Sequence, residues 1–331
     1  MIPSRETLFE LQKKHRFSAR ILEIVIRLRD ILKSIGEDQL LSGSLVLKGG
    51  TALNLCFGSP PRLSADLDFN YVGALDLKRM REDRPKLIAK LELIARRTGY
   101  RIQSSAEEHA GKRLYLKYAS ALGGEGTLQV DVNFLHRLPL ETVRELPVWN
   151  PGEGEVVLTK VVADSELIAG KAIAMLDRVA PRDLYDISIL PKRVGSFHVR
   201  PEMRTVFIAM AGVLDQSLTR YTLDRFQRLT DDAVQEMLYP LLREGERPDA
   251  KALRENVARV IGPWLTLSPN EEEYAERLQR GELMPELLFP DNRQMADKLR
   301  QHPVLLWKVK NAQLLSRRTL RQNSKRKPAN S

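Results

Sequence analysis

Apolar residues between positions 4 and 35 recur every three or four places, with Phe17, Ile21, Ile24, Val25, Leu28, Ile31 and Leu32 in one stripe. That period puts them on one face of a helix, so a single long amphipathic helix is expected. Its other face carries Arg16, Arg20, Arg27, Arg29 and Lys33, which read as a solvated basic surface. The pattern changes at Leu45. Leu45-Val46-Leu47 reads as a short strand, followed by Gly49-Gly50, a helix from Thr51 to Phe57 and a turn at Pro60-Pro61. Residues 66–70, DLDFN, alternate polar and apolar, the period of a strand. Asp66, Asp68 and Asn70 then share one face, and Leu67 and Phe69 the other.

Further along, Lys86 to Arg97 has helical spacing and ends near Gly99. Three strand-like runs follow: 100–103, Leu114 to Tyr118, and Leu128 to Phe134, the last two joined by a Gly-rich turn at 123–126. In the third run Leu128, Val130, Val132 and Phe134 line one side, and Gln129, Asp131 and Asn133 the other. Residues 147–155 read as a Pro/Gly-rich loop. A helix is expected from Asp164 or Ser165 to Leu176, with Lys171 about 60° from Ile168, at the edge of the apolar stripe. Such a lysine can snorkel to solvent. Pro181 starts another helix carrying Asp183 and Asp186.

Beyond about residue 196 every periodic segment is helical: Val206 to Leu214, a helix opened by the capping box Ser268-Pro269-Asn270-Glu271 and closed by Gly281, and Val304 to Leu320. The pattern predicts an α/β (α+β) chain: a small mixed sheet flanked by helices in residues 1–195, a helical domain in 196–316, and a basic tail in 317–331.

Composition narrows the picture only in places. The chain has 331 residues, enough for about two domains. No apolar run approaches the ~20 residues of a membrane helix, and the first residues lack a signal-peptide layout. One cysteine, Cys56, excludes an internal disulfide, fits a reducing cytoplasm, and sits among apolar residues as a buried thiol would. The net charge is +10, and six of those charges lie in residues 317–331, leaving +4 for the rest. The five histidines are scattered along the chain, and no zinc set or Ser-His-Asp spacing is visible.

The chemistry concentrates in residues 46–70. Aspartate is depleted in strands, and two carboxylates on one face repel. Magnesium suits such a pair, because it takes hard carboxylate oxygens and is shared with substrate phosphates. Gly49 and Gly50 let the backbone approach a ligand, and the amides of Gly50 and Thr51 open a helix N-terminus that favours anions. An anion cradle beside a cation-binding pair indicates a nucleoside triphosphate site.

LKGGTAL (Leu47 to Leu53), RLSADLDF (Arg62 to Phe69), Lys171 and RDLYDI (Arg182 to Ile187) resemble the AbiEii/AbiGii nucleotidyltransferase toxins, a branch of the DNA polymerase β superfamily that includes the MenT toxins. The resemblance covers roughly residues 40–190. It implies Asp66, Asp68 and Asp131 as ligands of two Mg²⁺ ions, with Asp131 also meeting the attacking hydroxyl. It further implies Gly49, Gly50, Thr51 and Ser64 at the phosphates, Lys171 on the triphosphate, and Asp186 as another active-site acid. Arg178, Arg182 and Asp183 are expected to form ion pairs that orient Lys171. The function implied is that of a toxin transferring nucleotides from NTP to RNA, the tRNA 3′ end in the MenT branch, and countered by an antitoxin. Two rivals are a nucleotidyltransferase acting on a small molecule or a protein, and a non-catalytic nucleotide- or RNA-binding module.

Overall fold

The computed structural model describes residues 3–104, 110–193 and 201–325. The N-terminal stripe folds as two helices, α1 (Arg5–His15) and α2 (Ala19–Glu37). Arg16 between them takes a left-handed backbone with φ 63°, and the Ser18 hydroxyl caps α2 by accepting from the Ile21 amide. Phe17, fully buried at the break, keeps the apolar rhythm unbroken and so hides the corner from the sequence. The basic face is also only partly solvated. Arg27 and Arg29 are 4% and 8% exposed. Arg27 forks onto Glu23 at 2.9–3.0 Å and lies 3.9 Å over the Tyr118 ring. Arg29 donates to the carbonyl of Glu155. Glu23 is one turn away, but the partners that cover both arginines, around Tyr118 and Glu155, come from about a hundred residues along the chain, where helical periodicity has no reach.

The chain then gives α3 (Gln39–Ser44), β1 (Leu45–Lys48), α4 (Gly49–Leu55), β2 (Asp66–Tyr71), α5 (Leu77–Arg97), β3 (Arg101–Ser104), β4 (Gly111–Ala119) and β5 (Glu125–Asn133). Helix α5 starts before the expected Lys86: Asp76 caps it and Pro85 is accommodated inside it. Two strands escaped the pattern, β6 (Arg144–Pro147) and β7 (Leu158–Val161), which pair around the Pro/Gly-rich loop. In them burial does not follow polarity: Leu158 is exposed and Thr159 buried in β7, and β6 is mostly exposed.

The sheet is mixed, in the order β3-β4-β5-β2-β1-β7-β6. Strand β2 runs parallel to β5 and antiparallel to β1. Its pleat sorts the chemistry. Leu67, Phe69, Leu114, Leu116, Leu128, Val130 and Val132 are buried on one face, where Ile31 of α2 and Leu91 and Ala95 of α5 meet Leu114, Leu116 and Val130. Burying each such side chain contributes about 1.5–3 kcal/mol, so this face fixes the register that aligns the polar residues on the other.

The polar face is covered by α6 (Asp164–Arg178), α7 (Pro181–Arg193) and α8 (Pro201–Met210), which continues into a 3-10 turn at Ala211–Val213. The remaining helices are α9 (Asp231–Met237), α10 (Ala250–Leu265), α11 (Pro269–Gln279), α12 (Arg293–Gln301) and α13 (Pro303–Lys325). The capping box forms as expected, with Glu271 accepting from the Ser268 amide. Helix α6 packs on α8 and α7 on α10, and the Leu63 amide donates to Leu241 at 2.8 Å, so the helical part touches the nucleotide stretch directly. Helix α13 runs five residues past the expected Leu320. The expected boundary at 195/196, and residues 326–331 of the tail, lie outside the described residues.

Candidate active site

Parallel pairing of β2 with β5 sets Asp68 beside Asp131 and Asp66 beside Gln129, on neighbouring strands about 4.8 Å apart. All four line one cavity of about 590 Å³. Burial, with Asp66 and Asp131 adding to it, pushes the Asp68 carboxyl above its ordinary range, while Lys48 and Lys171 oppose the shift. The Ser64 hydroxyl donates to Asp66 Oδ1 at 3.1 Å, and Arg182 approaches Asp66 Oδ2 at 3.6 Å. Asp131 stands in a different state. Arg113, opposite it on β4, forks onto both its oxygens with three bonds of 2.8–3.2 Å, and Gln129 adds a fourth at 3.0 Å. The expected three-carboxylate metal set is therefore not preassembled: among the described residues no group of three or more His, Cys, Asp or Glu is arranged to hold a metal ion.

The glycine pair is placed as expected, with the helix opening at Gly49. Gly49 has φ 71°, and a Cβ there would lie 2.6 Å from Asp68 Oδ2. A Cβ on Gly50 would lie 3.0 Å from Arg62 Nη2, 3.2 Å from Ser64 Oγ and 3.8 Å from Lys171 Nζ. The backbone at Gly50 is thus open to a space bordered by a hydroxyl and two cations. The Thr51 side chain is turned away from it. It is buried, and its hydroxyl donates to the carbonyl of Asp66, bracing β2 from behind.

Lys171 does not snorkel. It is 6% exposed, and its ammonium donates to Asp183 at 2.8 Å and lies 3.0 Å from Asp186. Asp183 also takes a fork from Arg178 at 2.6 and 3.1 Å. Asp186 takes one from Arg62 at 2.7 and 2.6 Å, with Asn54 at 3.1 Å. Burial pulls the Lys171 ammonium down, but Asp186 and Asp183 outweigh it and hold it above its ordinary value. Burial likewise raises both carboxyls, and the cations more than reverse it: Lys171 and Arg178 for Asp183, Arg62 and Lys171 for Asp186. Asp186 is 0% exposed and does not line the cavity, whereas Lys171, Arg62 and Arg178 do. Asp186 thus stands behind the cavity and holds the cations that face it.

An ammonium has three donors; with two on Asp183 and Asp186, Lys171 keeps one for the cavity. The assembly can take up an anion at Gly50, Ser64 and Lys171, and a cation at Asp66 and Asp68.

Sequence reasoning gave no role to Arg62, although it stands in RLSADLDF and is 1% exposed. It missed Lys48, Arg113 and Glu166, and the segment Met210–Asp215, which closes the cavity from the helical part. Burial raises the Glu166 carboxyl to about 7, partly offset by backbone hydrogen bonds from Glu141 and Leu140. Two histidines also meet, His136 and His302, with ring centres 5.7 Å apart. Burial lowers them to about 3 and about 4. His109 and His198 lie outside the described residues. Cys56 is buried as expected, and burial pushes its thiol up to about 12.

The sequence model of the family described as nucleotidyl transferase AbiEii toxin, type IV toxin–antitoxin system, matches residues 30–275. No curated protein matches the chain in sequence. Among solved structures, the nucleotidyltransferase toxin MenT4 (Rv2826c) of Mycobacterium tuberculosis H37Rv superposes with a TM-score of 0.56 at 22% identity, covering 89% of this chain and 98% of that one. JHP933 from Helicobacter pylori gives 0.47 at 19% identity, over 75% and 93%. A second H. pylori structure, titled a putative nucleotidyltransferase, gives 0.48 at 19%, over 79% and 99%.

Proposed function

Because the chain belongs to the AbiEii family of nucleotidyl transferase toxins from type IV toxin–antitoxin systems, we propose that it transfers nucleotides from an NTP to RNA, with the tRNA 3′ end as acceptor and arrest of translation as the result. The observation that carries the reading is the opposition inside one cavity: Asp66 and Asp68 on β2 face the glycine pair, and the buried Arg62–Asp186–Lys171–Asp183 network, joined by the part-exposed Arg178, stands behind it.

The donor set fits a divalent cation. Among the described residues the Asp68 carboxylate has no hydrogen bond or ion pair, and burial with the Asp66 and Asp131 charges outweighs Lys48 and Lys171 in disfavouring its charge, which is the state a cation relieves. Asp66 and Asp68, with Asp131 beside them, would hold Mg²⁺, which when bound neutralises the triphosphate and lowers the pKa of the attacking hydroxyl.

The protein's own groups supply the rest. The Gly50 amide and the Ser64 hydroxyl donate to phosphate oxygens, with no Cβ in the way. Asp131 takes the proton of the acceptor's 3′ hydroxyl as that oxygen attacks the α-phosphorus. As that P–O bond forms, the bond to the leaving oxygen breaks and pyrophosphate departs. Lys171 and Arg62, already charged and fixed by Asp186, stabilise the negative charge gathering there without reorganising. Met210, Val213 and Leu214 offer an apolar wall of the kind on which a nucleobase packs. As in other members of its family, the partner would be an antitoxin.

Incubation of the purified chain with each labelled NTP and total RNA tests the reading. Label in RNA of tRNA size supports it; label on a small molecule or on protein would redirect it to another acceptor, and binding without transfer would remove it.

A further inference from the structure

Three ion pairs of the site are buried on both sides, as Arg62–Asp186 is at 1% and 0% side-chain exposure. Two that line the cavity are part-exposed, Arg182–Asp66 and the shorter Arg113–Asp131. Arg113 and Asp131 face the same cavity with side chains 42% and 24% exposed. Their cross-strand register puts them directly opposite each other. Asp131 first, then Tyr115, hold the Arg113 guanidinium above its ordinary value, while Asp131 accepts four hydrogen bonds, three from Arg113 and one from Gln129. A carboxylate has about four acceptor positions, so Asp131 cannot serve a cation and a hydroxyl while this fork is in place. Being part-exposed, the fork opens easily, since pairs of this kind shift an equilibrium only a few-fold.

Where Arg113 would go is set by strand order. The phosphate cradle lies at the end of β1, and Arg113 on β4 is three strands away, across β2 and β5. It therefore stands on the side of Asp131 away from the donor triphosphate, the side left for the acceptor. Its planar fork matches a phosphate as well as a carboxylate.

We infer that Arg113 is an acceptor-side latch, holding Asp131 in the resting enzyme and passing to a phosphodiester of the acceptor strand when that strand delivers its 3′ hydroxyl. The inference rests on the nucleotidyl-transfer reading and deepens it, because it requires an acceptor with a phosphate next to the reacting hydroxyl. A nucleic acid end has one; a sugar or a protein side chain does not. Asp131 is freed only as the acceptor arrives, so the latch also restrains idle hydrolysis of the NTP.

The test uses the full chain as wild type, Arg113→Ala and Arg113→Lys. Mn²⁺ binding is followed by electron paramagnetic resonance without nucleotide or RNA, and KM is measured for NTP and for acceptor RNA. Arg113→Ala should bind Mn²⁺ roughly two- to fivefold tighter, since the competing cation is gone. Its KM for RNA should rise roughly tenfold, the worth of one charge-assisted fork, with KM for NTP within about twofold. Arg113→Lys, with charge but no fork, should recover part of the RNA affinity. A structural brace would instead weaken metal and both substrates together. Unchanged or weaker Mn²⁺ binding in Arg113→Ala, or a rise confined to the KM for NTP, would overturn the latch and leave the transferase reading standing. Absence of transfer by the wild type, with no Mn²⁺ site sensitive to Asp68→Asn, would overturn both.

Discussion

Replacing Asp186 by alanine should cost stability as well as activity. Its carboxylate takes two bonds from Arg62 at 2.7 and 2.6 Å and one from Asn54 at 3.1 Å, and lies 3.0 Å from the Lys171 ammonium. All three charged groups are 6% exposed or less. Without Asp186, Lys171 retains Asp183, but the Arg62 guanidinium keeps only the Leu63 carbonyl and is left as a buried charge without its counter-ion. Breaking one member of a buried pair costs about 3–5 kcal/mol, a large share of the ~5–15 kcal/mol that holds a domain folded. With a urea slope of about 3 kcal/mol/M, the midpoint should fall by about 1–2 M. Circular dichroism and tryptophan fluorescence should move together through the transition. Asp66→Asn, on a part-exposed carboxylate, should leave the midpoint unchanged or raised. The sign with pH follows from the same contacts. Asp186 and Asp183 are held below their ordinary values, so their contribution is complete above about pH 4 and is lost as pH falls toward their folded values. Asp186→Ala should flatten that acid decline. An unshifted midpoint with lost activity would refute this account and make Asp186 a reacting group.

Other expectations follow from single contacts. Gly49→Ala should abolish transfer, because its Cβ would stand 2.6 Å from Asp68 Oδ2 at φ 71°; near-wild-type turnover would show that this approach is not needed. Glu166 is raised to about 7, so the folded form favours its protonated state and stability should decline as pH rises from about 4.5 to 7. Glu166→Gln should remove that decline in a series of urea melts, and an unchanged slope would contradict it. Deleting residues 321–331 removes four basic residues and no acid; transfer should persist while the salt slope of RNA affinity flattens. An unchanged slope would mean that the tail does not meet RNA.

The parts of the site legible in the sequence were those carried by local pattern. Alternation in DLDFN and LQVDVN gave two strands and their faces, and the structure pairs them in parallel with Asp68 beside Asp131. What stayed hidden was every partner supplied from a distance. Periodicity put Lys171 at the edge of a stripe, but its burial is decided by Asp183 and Asp186 on the next helix. Arg27 and Arg29 read as surface because Ala119 and Glu155 lie far along the chain. Arg113 sits in an ordinary alternating strand, and only register shows that it faces Asp131. Strands β6 and β7 did not declare themselves because burial in them does not follow polarity, with Leu158 exposed and Thr159 buried. Met210–Asp215 has no chemical spacing of its own and becomes part of the cavity only through the packing of α8 on α6.

The central claim is that Asp66 and Asp68 serve transfer of a nucleotidyl group to RNA, and the position of the label in the donor tests it most directly. Wild type, Asp66→Asn and Asp68→Asn would each be given RNA with NTP labelled at the α- or the γ-phosphate. The account predicts α-label in RNA, γ-label released as pyrophosphate, and loss of both in either variant without a lower unfolding midpoint. Transfer of γ-label to the acceptor, or full transfer by a folded Asp68→Asn, would contradict it.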